Sequence, residues 1–178
     1  MDLFHAIEKR HSYRGNFTDA PVPREDLERI VDAGIRAPSG HNAQTTSFVI
    51  VDNQELLAEV TGCLKPAAYL QSARAAIVVL MDPRPASGWD VSFGVQDYAA
   101  AVENMLLATT ALGYASVWLD GDVAVADTAQ KIARVLSVPE PLQVRVVLPL
   151  GVPQAQRSQR QKKPFDERAH WNGYGGRA

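Results

Sequence analysis

Val95, Tyr98, Val102, Met105, Leu106 and Thr109 recur at helical spacing within residues 91–112, a pattern held for about six turns and closed by Gly113. A helix that long with one such stripe has to lie at the centre of the molecule, and the other elements must pack around it. Two runs of strand length, 47–51 (Ser-Phe-Val-Ile-Val) and 75–81, are rich in β-branched residues and lack strict polar alternation. Both are therefore expected to be buried on two faces. Between them, 53–61 predicts a short helix closed by Gly62.

The remaining elements follow from caps and periodicity. A first helix starts after Asp2 as its N-cap and runs to about Arg10, with Leu3, Ala6 and Ile7 on one face. A second runs from Pro23 to Ile35, burying Leu27, Ile30, Val31, Gly34 and Ile35, and Pro38 stops it before a polar loop at 39–44. Past the central helix, 114–119 predicts a strand, 125–136 a helix with Ile132, Val135 and Leu136 inward, and 144–150 a last strand. After Gly151 the chain turns polar and basic, with Arg157, Arg160, Lys162 and Lys163, and ends in Trp171, Tyr174 and three glycines. Strands and helices interleave irregularly, which predicts an α+β fold around a small mixed sheet flanked by helices. No repeat or composition break divides residues 1–178, so a single domain is expected.

Composition removes several function classes. With 46% hydrophobic and 21% charged residues, the 178-residue chain can bury a substantial core. A formal charge of -2 argues against nucleic-acid partners. The longest apolar stretch, 75–81, falls far short of the roughly 20 residues needed to cross a bilayer, and no charged-then-apolar leader follows Met1, so a cytoplasmic protein with no membrane partner is expected. Cys63 stands alone and is read as packing, and no His, Cys, Asp or Glu grouping has metal-ligand spacing, so no metal is expected.

Two segments carry chemistry. Residues 10–14 (Arg-His-Ser-Tyr-Arg) follow a helix and precede Gly15-Asn16, so they read as extended chain in which Arg10, Ser12 and Arg14 share a face. Arg10 and Arg14 then stand about 13 Å apart, a ligand-sized span with bidentate donors suited to an anion such as a phosphate. From these residues alone a solvated basic edge strand is an equal reading. The second segment, 37–44 (Ala-Pro-Ser-Gly-His-Asn-Ala-Gln), packs hydroxyl and amide groups with little bulk, although an ordinary helix-to-strand connection explains it better when taken by itself.

In order along the chain stand Arg10-x-Ser12-x-Arg14, Pro38-Ser39-x-x-Asn42-x-Gln44, Leu112-Gly113-Tyr114 with Ser116-Val-Trp-Leu119 and Gly121, then Leu150-Gly-Val-Pro153 and Pro164-Phe-Asp-Glu167. Through these four motifs the chain resembles, nearly end to end, the nitroreductase-like family of FMN-dependent oxidoreductases. The resemblance implies an intertwined homodimer with FMN at the interface and the extension 152–178 docking on the partner subunit. It implies that Arg10, His11 and Ser12, with Arg160 and Lys162 (or Lys163) from the tail, bind the FMN phosphate. It puts Arg14 near N1 and the C2 carbonyl of the ring, as an electrostatic stabiliser of reduced flavin rather than a reacting group. Pro38, Ser39, Asn42 and Gln44 would come from the opposite subunit, and backbone groups of Asp120 and Gly121 would face the ring near N5.

The implied activity is NAD(P)H-dependent reduction of nitroaromatics, quinones or related acceptors, with no catalytic side chain because the chemistry belongs to the flavin. No G-x-G-x-x-G follows any predicted strand, so NADH or NADPH is expected to share one site with the acceptor in a ping-pong cycle. Two alternatives stand beside it: a specialised FMN enzyme (reductive dehalogenase, ene-type reductase or flavin-degrading), or a flavin-binding protein without turnover. Thr45-Thr46 depart from the Pro-Trp that many relatives carry, and the loop 81–89 is short, so substrate-capping insertions are reduced. Trp118 is expected in the core, Asp97 and Glu103 as satisfied core or interface carboxylates, and His41 and His170 as exposed.

Overall fold

The computed structural model describes every residue except 86, 87, 89, 177 and 178, so part of the 81–89 loop lies outside the described residues. The elements are α1 (Leu3–Lys9), α2 (Arg24–Ile35), a 3-10 turn (Gly40–Asn42), β1 (Thr46–Val51), α3 (Gln54–Gly62), α4 (Ala68–Gln71), β2 (Ala75–Met81), α5 (Gly94–Ala111), β3 (Ala115–Ser116), α6 (Gly121–Ala124), α7 (Thr128–Val135), β4 (Gln143–Gly151) and α8 (Phe165–Arg168). Their sheet has the order β1-β2-β4-β3, and its three strand pairs are antiparallel. Parallel pairing enters the expected mixed sheet only through the isolated bridge between Ser12 and Ser116.

β2 explains its own composition. Ala76, Val78 and Leu80 point into a core shared with α3 and α7, while Ala75, Ile77, Val79 and Met81 point into one shared with α2 and α5. Both faces are dry, so no alternation of polarity survives. β1 is different: Thr46 to Phe48 are half-buried and Ile50 is exposed, because β1 lies at the sheet edge rather than inside it as expected.

The central helix is present, but it starts at Gly94. Gly94 sits flush on Met81, where an added Cβ would meet the Met81 side chain at 2.8 Å, and Ser92 Oγ accepts from its amide. Tyr98, Val102, Met105, Leu106 and Thr109 are buried as expected, and Gly113 ends the helix at φ +88, where a side chain would be strained. Val95 is exposed instead of inward, as is Ile35 on α2.

Other expectations need correction. The strand at 114–119 contracts to two residues, with Leu119 alone bridging to Val147 further along. The helix expected over 125–136 is shorter, α7 from Thr128 to Val135, with Ala126 at φ +50 ahead of it, and α6 is a separate turn that ends at Ala124. On α1 only Ala6 is buried, leaving Leu3, Phe4 and Ile7 exposed. Among the described residues no helix is long and apolar enough to cross a membrane, and no group of His, Cys, Asp or Glu is placed to hold a metal.

Candidate functional site

The 10–14 segment is extended for a visible reason. Arg10 leaves α1 at ψ 126, and Tyr13, fully buried, donates its amide to Ser116 O at 2.9 Å and its hydroxyl to Asn16 O at 2.7 Å. With Tyr13 turned into the core, Ser12 and Arg14 turn to solvent. Arg10 is mostly covered and its Nε lies 3.3 Å from Glu103 Oε1 on α5. Glu103 is thus the satisfied carboxylate expected from sequence, and it also orients Arg10. Arg14 has no acidic partner among the described residues.

His11 Nδ1 lies 2.8 Å from the Lys9 carbonyl, which can only accept, so that nitrogen carries a proton. Its Nε2 is buried without a partner among the described residues, and so are Ser116 Oγ and Trp118 Nε1. Buried polar atoms are normally paired, so this edge of the sheet is chemically unfinished within one chain. Trp118 otherwise packs against the α2–α5 core, as expected.

The basic tail comes to the same edge. Residues 152–154 run antiparallel to 16–18, with Thr18 N donating to Val152 O and Gln154 N to Asn16 O, both at 2.9 Å. Gln159 Nε2 then donates to Arg10 O at 2.7 Å and to Ile7 O at 3.1 Å. The first part of the extension therefore docks on its own chain, with Gln159 against Arg10 and the chain continuing into Arg160 and Lys162. Both are exposed, and neither has an acidic partner among the described residues, whereas Lys163 faces Glu167 at 3.7 Å. Gln159 was not singled out from sequence; an amide in a polar tail carries no periodic or motif signal.

The 39–44 loop is held by the same helix, α5, through Asp97 near its start. Gly40 N donates to Asp97 Oδ1 at 2.8 Å and Thr45 Oγ1 to Asp97 Oδ2 at 2.7 Å, so one buried α5 carboxylate, 4% exposed, takes both ends of the loop. Gly40 lies against Phe93, where a Cβ would approach the ring to 2.6 Å. Gln44 N donates to Ser39 Oγ at 3.0 Å, and Gln44 Nε2 reaches Asn42 O at 3.4 Å. His41, Asn42 and Gln44 all have positive φ. Thr45, where the resemblance has proline, leaves Gln44 free to take φ +50, a conformation a following proline disfavours.

Beside this loop opens a cavity of about 780 Å³ lined by His41, Gln44, Thr45, Ser47, Asp82 and Arg84. Arg84 Nε donates to both Asp82 oxygens at 2.9 and 3.0 Å, and that hydrogen bonding holds the Asp82 carboxyl below its usual range. At the remaining position, the Gly121 amide is already donating to Asp120 Oδ1 at 2.7 Å, so it offers no free donor to a ligand.

Within one chain the expected residues form two groups. Arg10, His11, Ser12 and Arg14 lie on the segment to which Gln159 ties the tail that carries Arg160 and Lys162, while Ser39, Asn42 and Gln44, after Pro38, share a loop. Their anchors on α5, Glu103 and Asp97, are separated by about 9 Å along the helix and about 120° around it. None of the first group lines the cavity beside Gln44.

The Nitroreductase family model matches residues 7–78. A protein of Archaeoglobus fulgidus provisionally named NADH dehydrogenase/NAD(P)H nitroreductase is 36% identical over 141 residues, covering 79% of this chain and 80% of that protein. The NADPH-flavin oxidoreductase of Vibrio harveyi is 26% identical over 168 residues, covering 89% of this chain and 69% of that protein. A crystal structure from Desulfovibrio desulfuricans, a provisionally named nitroreductase in complex with FMN, superposes with a TM-score of 0.80 at 27% identity over 94% of this chain and 94% of that one.

Proposed function

The chain belongs to the nitroreductase family, and on that premise we propose that it is an NAD(P)H-dependent oxidoreductase holding FMN between the subunits of a homodimer and reducing nitroaromatic, quinone or related acceptors. The observation that carries this reading is the Gln159 tie to Arg10 O, which joins the basic tail to the 10–14 segment and so supports Arg160 and Lys162 acting with Arg10, His11 and Ser12 on one anion. A phosphate monoester carries about two negative charges, and this donor set suits it. The unpartnered His11 Nε2 and Ser116 Oγ on that edge of the sheet fit a group that completes it.

When bound, FMN supplies hydride transfer at N5, and the protein supplies binding, orientation and electrostatics. Arg10 spends its Nε on Glu103 and keeps its terminal nitrogens for the phosphate, which a guanidinium with five N–H donors can do. Ser12, Arg160 and Lys162 add donors from exposed positions. Arg14 places an unpaired positive charge at the far end of the segment, assigned to the N1 and C2-carbonyl edge, where it offsets negative charge. Ser39 Oγ accepts from Gln44 N and retains its own proton to donate, while Asn42 and Gln44 present exposed amides.

The separation of the two groups around α5 favours a loop supplied by a second copy, and the exposed Leu3, Phe4 and Ile7 give that copy an apolar surface to cover. Without a dinucleotide-binding loop, NAD(P)H and acceptor alternate at one site, so initial-rate plots are expected to be parallel.

Anaerobic titration of the FMN-loaded protein tests the reading. Loss of the oxidised flavin band within seconds of adding NADH or NADPH, and its return on adding a nitroaromatic or a quinone, is the expected result. FMN that binds but is bleached by neither nucleotide overturns the enzyme, and a chain that takes up no FMN overturns the cofactor.

A further inference from the structure

We infer that Asp97 and Thr45 form a positioning clamp that holds the 39–44 loop in its cofactor-binding shape, an inference that rests on the function proposed above. The loop carries three side-chain-bearing residues, His41, Asn42 and Gln44, at φ between 50 and 54. That region is disfavoured for such residues and persists only where the surroundings over-determine it.

Inside the loop the Gln44 amide closes on Ser39 Oγ. Besides the backbone hydrogen bond from Asp82 N to Thr45 O, its tie to the scaffold is the Asp97 carboxylate, buried on α5, with one oxygen accepting from Gly40 N at the loop's start and the other from Thr45 Oγ1 at its end. The Gly40 backbone rests on the Phe93 side chain one turn earlier on the same helix, which fixes the height at which the loop meets it. No hydrogen bond joins Asp97 to the side chains of Ser39, Asn42 or Gln44 among the described residues, so it acts through the backbone. Thr45 Oγ1 is the side-chain donor of the clamp, and removing it unties the end of the loop from α5 while the Asp82 N to Thr45 O hydrogen bond, at 2.8 Å, and the Gly40 contact remain.

The test is titration of apoprotein with FMN, followed by quenching of flavin fluorescence, alongside the Tm of the apoprotein. Thr45→Val removes the hydroxyl at nearly constant shape and is expected to raise the Kd for FMN about five- to twentyfold, with apoprotein Tm within about 3 °C of the parent. Thr45→Ser, which restores the donor, is expected to stay within about twofold of the parent. Asp97→Ala removes both acceptors and is expected to weaken binding at least as much as Thr45→Val, and the double variant no more than Asp97→Ala alone, since Thr45 then has no carboxylate left to lose.

Parent-like FMN affinity in Thr45→Val, failure of Thr45→Ser to restore it, or full additivity in the double variant overturns the clamp. So does a fall in apoprotein Tm large enough to account for the whole loss of affinity. The Thr45 pair decides by itself if Asp97→Ala yields no folded protein. Failure of the underlying functional reading looks different, because then the parent chain itself takes up no FMN.

Discussion

Arg10 and Arg14 lie four residues apart on one extended segment and meet different surroundings: Arg10 is covered and braced by Glu103, Arg14 is exposed and unbraced. That difference predicts a division of labour. Arg10→Ala removes a charge-assisted donor worth about 1.5 to 3 kcal/mol and is expected to weaken FMN binding about ten- to hundredfold, measured by apoprotein titration. Arg14→Ala is expected to retain FMN better and to lower the two-electron midpoint potential by roughly 30 to 65 mV in spectroelectrochemical titration, the same energy expressed as a potential. Equal loss of FMN in both variants would refute the assignment. The alternation that turns Arg10, Ser12 and Arg14 away from the core was legible in the residues. The brace was not, because Glu103 is 93 positions away in sequence and only packing of α1 on α5 brings it close.

At the level of elements, α2 is tied to the turn after α5 by Tyr114, whose hydroxyl donates to Asp26 at 2.7 Å. Burial, followed by that hydrogen bond and the Asp26 charge, pushes the phenol up to about 12 from its ordinary 10. A raised folded-state value favours the neutral phenol, so this contribution is intact below pH 10 and fades as pH climbs from about 10 to about 12. Tyr114→Phe is expected to cost about 1 to 3 kcal/mol at neutral pH and to lose less stability than the parent between pH 10 and 12, as followed by thermal melts across that range. Long, strongly periodic elements such as α2, α5 and β2 could be placed from sequence because burial repeats along them. The 114–119 strand and the 125–136 helix could not be bounded that way. Where a strand leaves its ladder, or how far past Ala126, at φ +50, a helix begins, is settled by neighbours rather than by period. α4, four residues long, is too short to show any period.

For the whole molecule, the proposed homodimer makes the apolar surface left by α1 the place to test. Phe4 is 76% exposed and flanked by Leu3 and Ile7, so Phe4→Asp is expected to convert a homodimer to monomer on size-exclusion chromatography and to release FMN with it. A variant that stays dimeric and flavin-loaded would place the interface elsewhere. From sequence, Leu3, Ala6 and Ile7 were expected on one face of α1, and this chain buries only Ala6, since periodicity marks an apolar stripe without saying whether the same chain buries it. The sequence by itself determined the central helix, the doubly buried β2, the extended 10–14 segment and the motifs that mark the family, because each is a local pattern of side chains against a fixed backbone period. Only the tertiary structure decided that Gln159 brings the basic tail to Arg10, that Asp97 grips both ends of the 39–44 loop, and that β1 lies at the edge. Those contacts join residues far apart in the chain, and nothing in a local period encodes which distant partner a side chain will meet.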